Sequence, residues 1–138
     1  MTLELQATPE EVMRAVEALE DYARANGVPE KAIFGLALAL EECGSNVVNH
    51  GYQRDAEQTF SVSFARTESE LVIELCDHGP AYDPTAALDR PLQAADDDLP
   101  GGWGIQLVRR YMDEIRYRRE GNENILLLVK HLPAGGKQ

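Results

Sequence analysis

The sequence is poor in the features that mark several classes of protein. Its 138 residues include two cysteines and one tryptophan, and Cys43 and Cys76 both lie in apolar segments. Two cysteines are too few for a disulfide framework or a zinc site, so they indicate buried thiols in a reducing compartment. No apolar run is long enough to cross a bilayer, and the first residues lack a secretion signal. We therefore expect a soluble cytoplasmic protein that does not bind membranes.

Positive charge is also scarce. Thirteen lysines and arginines stand against 24 aspartates and glutamates, which gives a formal net charge of -11. A chain this acidic repels phosphate backbones, so we expect no nucleic-acid binding, and solubility is the simplest role of the charge. Five of the cations lie in one strip near the C-terminus, from Arg109 to Arg119. Such a strip is either a solvated face or a surface for an acidic partner.

Hydrophobic periodicity and capping residues predict three helices. Thr8 is suited to the N-cap of the first helix, Pro9 to its first turn, and Glu11 completes a capping box. A second helix is expected over Pro29–His50, with apolar residues at helical spacing. The third is expected over Trp103–Asp113.

Five segments alternate between polar and apolar residues or form a short apolar run, as strands do. They are Thr2–Gln6, Thr59–Phe64, Leu71–Cys76, Ile115–Arg119 and Ile125–Lys130. The order of elements predicts an α+β protein. We expect a two-layer α/β sandwich, with a mixed, mostly antiparallel sheet and three helices on one face. The chain has the length of one domain, residues 1–138, and a segment around 85–102 is expected to form a lid over a ligand.

One polar group of residues lies in the most apolar part of the sequence. Glu42 and Asn46 are one helical turn apart, and Asn49 lies close to the same arc. An asparagine offers Mg²⁺ a neutral oxygen, and a glutamate can orient or deprotonate a nucleophile near a γ-phosphate. A solvated polar face is the alternative interpretation.

Two further segments have the chemistry of a nucleotide site. Asp77 continues the inward row of the third strand, where a carboxylate needs hydrogen-bond donors such as the amino group of adenine, and Gly79 lets a flat base approach the backbone. Gly101, Gly102 and Gly104 precede or begin a helix, where free N–H groups bind anions. Taken alone, the first segment is also typical of a turn and the second of loop punctuation.

In this order the three segments resemble the GHKL ATPase superfamily, whose members include gyrase and the histidine kinases. Glu42–Asn46 matches its N-box, Asp77–Pro84 its first glycine box and Gly102–Ile105 its second. The short chain, with Asn49–Tyr52 and Tyr111–Ile115, is most similar to the stand-alone anti-sigma factor serine kinases of bacteria. The resemblance implies a histidine kinase-like ATPase fold.

The resemblance also implies a role for each matching residue. Glu42 would be the general base for a seryl hydroxyl, Asn46 would hold Mg²⁺, and Asp77 would bind the adenine amino group. The other positions that it assigns to the nucleotide pocket are Asn49, Gly79, Tyr82, Gly101, Gly102, Gly104 and Ile105.

The implied activity is phosphorylation of a serine on a STAS-type anti-anti-sigma partner, with ATP and Mg²⁺ as cofactors. Members often also sequester a sigma factor, and they often form homodimers. The alternatives are the ATPase part of a histidine-kinase system, for which the chain lacks an obvious dimerisation hairpin, and a simple ATP hydrolase.

The sequence departs from the family pattern at three places. Ala81 stands where a glycine is common, and Trp103 is bulky for its position between glycines. A Gly-Thr pair is usual near the last strand, but this chain has the stretch Gly121–Ile125 without a threonine. This departure motivates a competing function, a non-catalytic anti-sigma or other protein-binding module with weak or no nucleotide turnover.

Overall fold

The computed structural model describes residues 1–52, 55–89 and 102–133. In these ranges three helices cover one face of a five-stranded sheet. The helices are α1 (Pro9–Ala25), α2 (Glu30–Asn46) and α3 (Gly102–Tyr111). The strands are β1 (Thr2–Gln6), β2 (Thr59–Arg66), β3 (Glu70–Asp77), β4 (Glu114–Glu120) and β5 (Glu123–His131). The predicted two-layer α+β sandwich is confirmed.

The sheet has the strand order β1-β2-β3-β5-β4, and each of these neighbouring pairs is antiparallel. The expected mixture of parallel and antiparallel pairs is therefore not found among the described strands. The chain passes from β3 through α3 and β4 before β5 returns to pair with β3. This pairing places Asn124 directly opposite Asp77. The two side chains come from distant parts of the sequence and meet at the end of a central strand.

The core lies between the helices and the inner face of the sheet. Leu71, Ile73 and Leu75 are buried at alternate positions of β3, as the pattern predicted, and Asp77 continues the row at 7% exposure. Since β3 is covered by helices on this side, Asp77 is a carboxylate at the edge of a hydrocarbon core. It therefore needs hydrogen-bond donors close by.

The start of α1 confirms Thr8 as the N-cap and corrects half of the predicted capping box. The Thr8 hydroxyl accepts a hydrogen bond from the N–H of Glu11 at 3.2 Å. The Glu11 carboxylate, however, accepts from the N–H of Gln6 at 3.2 Å rather than from that of Thr8. The reason is that the Thr8 N–H already donates to the Gln6 carbonyl at 2.8 Å, where β1 turns into the helix.

Two predicted helix ends differ from the structure. The α-helical part of the second helix ends at Asn46, and one π-helical turn, Val47–Gly51, continues it. The N–H of Tyr52 closes this turn on the Val47 carbonyl at 2.8 Å. The third helix ends at Tyr111 rather than Asp113, because the Asp113 N–H donates to the Val129 carbonyl of β5 at 2.9 Å.

Residues 90–101 lie outside the described ranges, so the predicted lid stays a prediction. The segment that leads towards it is a short 3₁₀ helix, Pro84–Asp89. Within the described residues, each helix is too short or too polar to span a bilayer.

The N-cap of α1 provides a test of the fold. Thr8→Ala removes the acceptor for the Glu11 N–H and should lower the free energy of unfolding by about 1 kcal/mol. Thr8→Ser keeps the hydroxyl and should lose much less. Urea denaturation followed by circular dichroism measures both values. Equal stability of the alanine variant and the unmodified protein would show that the cap contributes nothing.

Candidate functional site

A small cavity lies between the C-terminal end of α2 and the ends of β3, β4 and β5. Its volume is about 30 Å³. The residues that line it are Cys43, Asn46, Val47, Leu75, Asp77, Tyr82, Pro84, Tyr117, Asn124 and Leu126. Three of the predicted site residues, Asn46, Asp77 and Tyr82, therefore meet at one place.

Asp77 obtains its hydrogen bonds from its own strand end and from β5. Its Oδ1 accepts from the backbone N–H of Gly79 at 2.9 Å and from the Asn124 amide nitrogen Nδ2 at 2.9 Å. The first bond is an Asx-type turn, so the turn expected from the local sequence is present. The second bond fixes the carboxylate from across the sheet.

Asn124 is the main residue of the site that the sequence did not reveal. It is 5% exposed, and its Nδ2 also donates to the Pro80 carbonyl at 2.9 Å. Its Oδ1 accepts from the Tyr82 backbone N–H at 3.3 Å and from the Tyr117 hydroxyl. Asn124 lies in the stretch without the family's usual threonine, and it supplies a donor to Asp77. The available signal was an amide side chain immediately before the apolar run of β5.

The loop after β3 is held at two more points. The Tyr52 hydroxyl accepts from the His78 N–H at 2.8 Å and donates to the Thr59 carbonyl at 2.7 Å. The Arg119 guanidinium donates to the Gly79 carbonyl at 2.7 Å. The π-helical turn places Tyr52 at this position. The end of the second helix is therefore connected to the first glycine box by the hydrogen bond between Tyr52 and His78.

Glu42 lies against the start of α3. A Cβ atom added to Gly104 would be 2.1 Å from Glu42 Oε1, so the carboxylate occupies the space that the glycine leaves open. The first helical turn of α3 begins at Gly102, where free N–H groups favour negative charge. Two predicted residues that are distant in sequence, Glu42 and Gly104, are therefore neighbours.

Burial raises the pKa of the two ionisable groups of α2 that lie nearest the site. Partial burial raises the pKa of the Glu42 carboxyl, and the neighbouring charge of Glu41 raises it further. Complete burial raises the pKa of the Cys43 thiol to about 12. Cys43 is therefore an unreactive apolar wall, whereas Glu42 is a stronger base than an exposed glutamate.

Besides Glu42 and the glycines already described, three predicted residues do not line the cavity. Asn49 is exposed and lines a separate surface pocket with Thr8 and Pro9. The α-helical spacing used to place it fails because the backbone becomes π-helical after Asn46. Ile105 is 1% exposed and belongs to the hydrophobic core. Gly101 lies outside the described residues.

The fold and this arrangement define a class of protein. The histidine kinase-like ATPases share this α+β sandwich. In them a polar helix end faces an aspartate-glycine loop and the glycine-rich start of another helix. The chain belongs to this family, because the family model for the histidine kinase-like ATPase domain matches residues 5–130. The resemblance seen in the sequence is confirmed.

Proteins with similar sequences carry kinase names. The chain is 34% identical to the serine/threonine-protein kinase BtrW of Bordetella bronchiseptica over 131 residues, which are 94% of this chain and 92% of that protein. It is 25% identical to the serine-protein kinase RsbW of Bacillus subtilis over 130 residues, 91% of this chain and 81% of that protein.

Two solved structures share the fold. One contains the RsbU and RsbW domains of a Mycobacterium tuberculosis protein, with a TM-score of 0.64 and 18% identity over 97% of this chain. The chain spans 34% of that protein. The other is the SiaB-SiaC complex of Pseudomonas aeruginosa, with a TM-score of 0.68 and 14% identity over 96% of this chain and 88% of the matched one. At these identities the likeness shows the fold alone.

The environment of Glu42 predicts its titration. Its carboxyl should release its proton at a higher pH than exposed glutamates do, since burial disfavours the charged form. Glu41→Gln should lower the pKa of Glu42 without restoring the ordinary value, because burial is the larger cause. Side-chain NMR titration measures both. Glu17→Gln, on the exposed side of α1, is the control and should leave Glu42 unchanged. A Glu42 pKa at or below that of exposed glutamates would contradict this account.

Proposed function

We propose that the protein is an ATP- and Mg²⁺-dependent serine kinase that phosphorylates a STAS-type anti-anti-sigma partner. The observation that carries the proposal is the convergence of Asn46, Asp77 and Tyr82 on one cavity, with Glu42 beside Gly104. The names of the relatives BtrW and RsbW support the reaction type.

The cavity end of the site is suited to a purine. Asp77 lines the cavity at the end of a core-facing row, and it is an acceptor for the amino group of adenine. Gly79, two residues further on, is buried and is held by hydrogen bonds on both its N–H and its carbonyl. The fixed loop therefore presents the carboxylate in one position, which reduces the ordering that binding requires.

The helix ends are suited to the phosphates. Asn46 is 9% exposed at the last position of α2 and would hold Mg²⁺ through its amide oxygen. Gly102 and Gly104, in the first turn of α3, would place backbone N–H groups against the phosphate chain. When bound, the ion would neutralise charge on the β- and γ-phosphates.

Glu42 would act as the general base. Its carboxylate would accept the proton of the seryl hydroxyl while the serine oxygen bonds to the γ-phosphorus, and the bond from that phosphorus to the bridging oxygen of ADP breaks. Burial and the charge of Glu41 both raise the pKa of Glu42, which strengthens it as a base. The seryl substrate must therefore approach between α2 and the start of α3.

The proposal includes further properties of the system. We place the protein in the cytoplasm, because both described cysteines are free thiols, as expected in a reducing compartment. We also propose that it forms a homodimer and sequesters a sigma factor, on the basis of the family resemblance.

Phosphotransfer with a Glu42 variant tests the reaction. Purified protein, Mg-ATP and the cognate STAS partner should yield phosphoserine, and Glu42→Gln should lower the rate by about 10²- to 10⁴-fold. Glu41→Gln is the matched control on the preceding residue and should retain most of the activity. Phosphoserine is measured by mass spectrometry.

Calorimetry separates this function from the competing one. Magnesium-dependent heat on adding ATP, together with phosphoserine, supports the kinase. A protein-binding module would bind the partner without that heat and without phosphoserine. Unchanged transfer in Glu42→Gln would remove the proposed role of this residue.

The contact between Glu42 and Gly104 predicts that Gly104→Ala lowers activity without lowering stability. Gly104→Ala would place a Cβ 2.1 Å from Glu42 Oε1, so the flexible carboxylate must move. Misplacing a base by about 1 Å costs about 100-fold in rate. Stability should be unchanged or raised, since alanine favours a helix by about 1 kcal/mol over glycine. Phosphotransfer and thermal unfolding measure the two effects.

Gly35→Ala is the matched control between the same two helices. Its Cβ would lie 3.0 Å from the Tyr111 Cβ, far from Glu42 along α2. We expect this variant to strain the packing of α2 on α3 and lower the melting temperature, with transfer by the folded fraction retained. Full transfer by Gly104→Ala would show that the position of Glu42 is not critical.

A further inference from the structure

The side-chain amide of Asn124 has one possible orientation. Its Nδ2 faces groups that only accept, namely Asp77 Oδ1 and the Pro80 carbonyl at 2.9 Å each and the Gly79 carbonyl at 3.4 Å. Its Oδ1 faces the backbone N–H of Tyr82 at 3.3 Å, which can only donate. Exchanging the amide oxygen and nitrogen would set acceptors against acceptors. The amide nitrogen is therefore fixed on Asp77.

This orientation commits one oxygen of the Asp77 carboxylate. Oδ1 accepts two hydrogen bonds, from the Gly79 N–H and from Asn124 Nδ2, which fills its ordinary capacity. Among the described residues Oδ2 has no hydrogen-bond donor. Among the described residues, every fully enclosed side-chain oxygen or nitrogen has a hydrogen-bond partner. Because Oδ2 has no partner, it must retain accessible surface. Asp77 lines the cavity, and Oδ2 is the one carboxylate oxygen that it has left to offer to a ligand there.

One available oxygen distinguishes between purines. The 6-amino group of adenine needs a single acceptor. Guanine presents N1–H and its 2-amino group side by side, and a carboxylate binds such a pair with both of its oxygens, as it binds the two parallel N–H groups of arginine. We propose that Asn124 is a positioning residue that sets the purine preference. By occupying Asp77 Oδ1, it denies guanine the second hydrogen bond and leaves a site suited to a 6-aminopurine. This inference rests on the proposed function, because it assumes a purine nucleotide in the cavity.

The unmodified protein provides a test that needs no variant. Calorimetry gives the Kd values of the magnesium complexes of ATP, GTP and inosine triphosphate. GTP and inosine triphosphate share the 6-oxo group and differ only in the 2-amino group. If Asp77 Oδ1 is occupied, the 2-amino group gains nothing and their Kd values should agree within about twofold, both weaker than that of ATP. A GTP affinity about tenfold above that of inosine triphosphate would overturn the inference.

Two variants of similar shape then test Asn124 itself. Asn124→Val removes one of the two donors to Asp77 Oδ1 and frees one acceptor position on it, so GTP should gain about tenfold over inosine triphosphate. Asn124→Thr differs from it by one hydroxyl, which can donate to Oδ1, and should return the ratio to near one. Equal ratios in the two variants would overturn the role of Asn124.

Tyr117→Phe is the control in the cavity wall. It removes one of the two donors to Asn124 Oδ1 but leaves the Tyr82 N–H, so the amide keeps its orientation and the ratio should stay near one. Failure of the unmodified protein to bind any of the three nucleotides would instead remove the proposed function, and this inference with it. An Asn124→Val variant that binds ATP but keeps the ratio of the unmodified protein removes the inference alone.

Discussion

The hydrogen bond between Asp77 and Asn124 connects the fold to the site. A carboxylate at the edge of a hydrocarbon core is costly unless donors surround it, and the register of β3 with β5 brings one donor directly opposite. The same amide binds the carbonyl of Pro80 and accepts from the N–H of Tyr82. The pairing of two central strands therefore determines both the position of the acidic group and the path of the loop that follows it.

The second helix carries the opposite kind of group, one that weakens the fold. Burial raises the pKa of Glu42, so the folded chain binds that proton more tightly than the unfolded chain does. Folding stability from this residue is therefore present at low pH and falls as the pH rises through the raised value. The packing of α2 on α3 keeps this carboxylate against the start of α3. The proposed role of Glu42 as a base would account for a residue whose burial opposes local stability.

Local patterns predicted the parts of the structure that depend on neighbouring residues. Alternation along β3 placed Asp77 on the inner face, and the Thr8-Pro9 pair marked the start of α1. The bond from Asn124 to Asp77 was beyond such reasoning, because it joins residues 47 positions apart and depends on strand order. The position of Asn49 was missed for another reason. One π-helical turn after Asn46 changes the angle between successive residues, and the sequence carries no clear signal for it.

Asn124 also bears on how departures from a family pattern are interpreted. The stretch Gly121–Ile125 lacks the usual threonine, which by itself suggested a weakened site. What the buried Asp77 requires is a donor against Oδ1, and an amide supplies that donor as well as a hydroxyl does. The Asn124 amide also donates to the Pro80 carbonyl and accepts from the Tyr82 N–H. A single hydroxyl is too short, and has too few donors, to make all of these bonds. In this chain Asn124 therefore fixes the Asp77 carboxylate and the start of the following loop without a threonine.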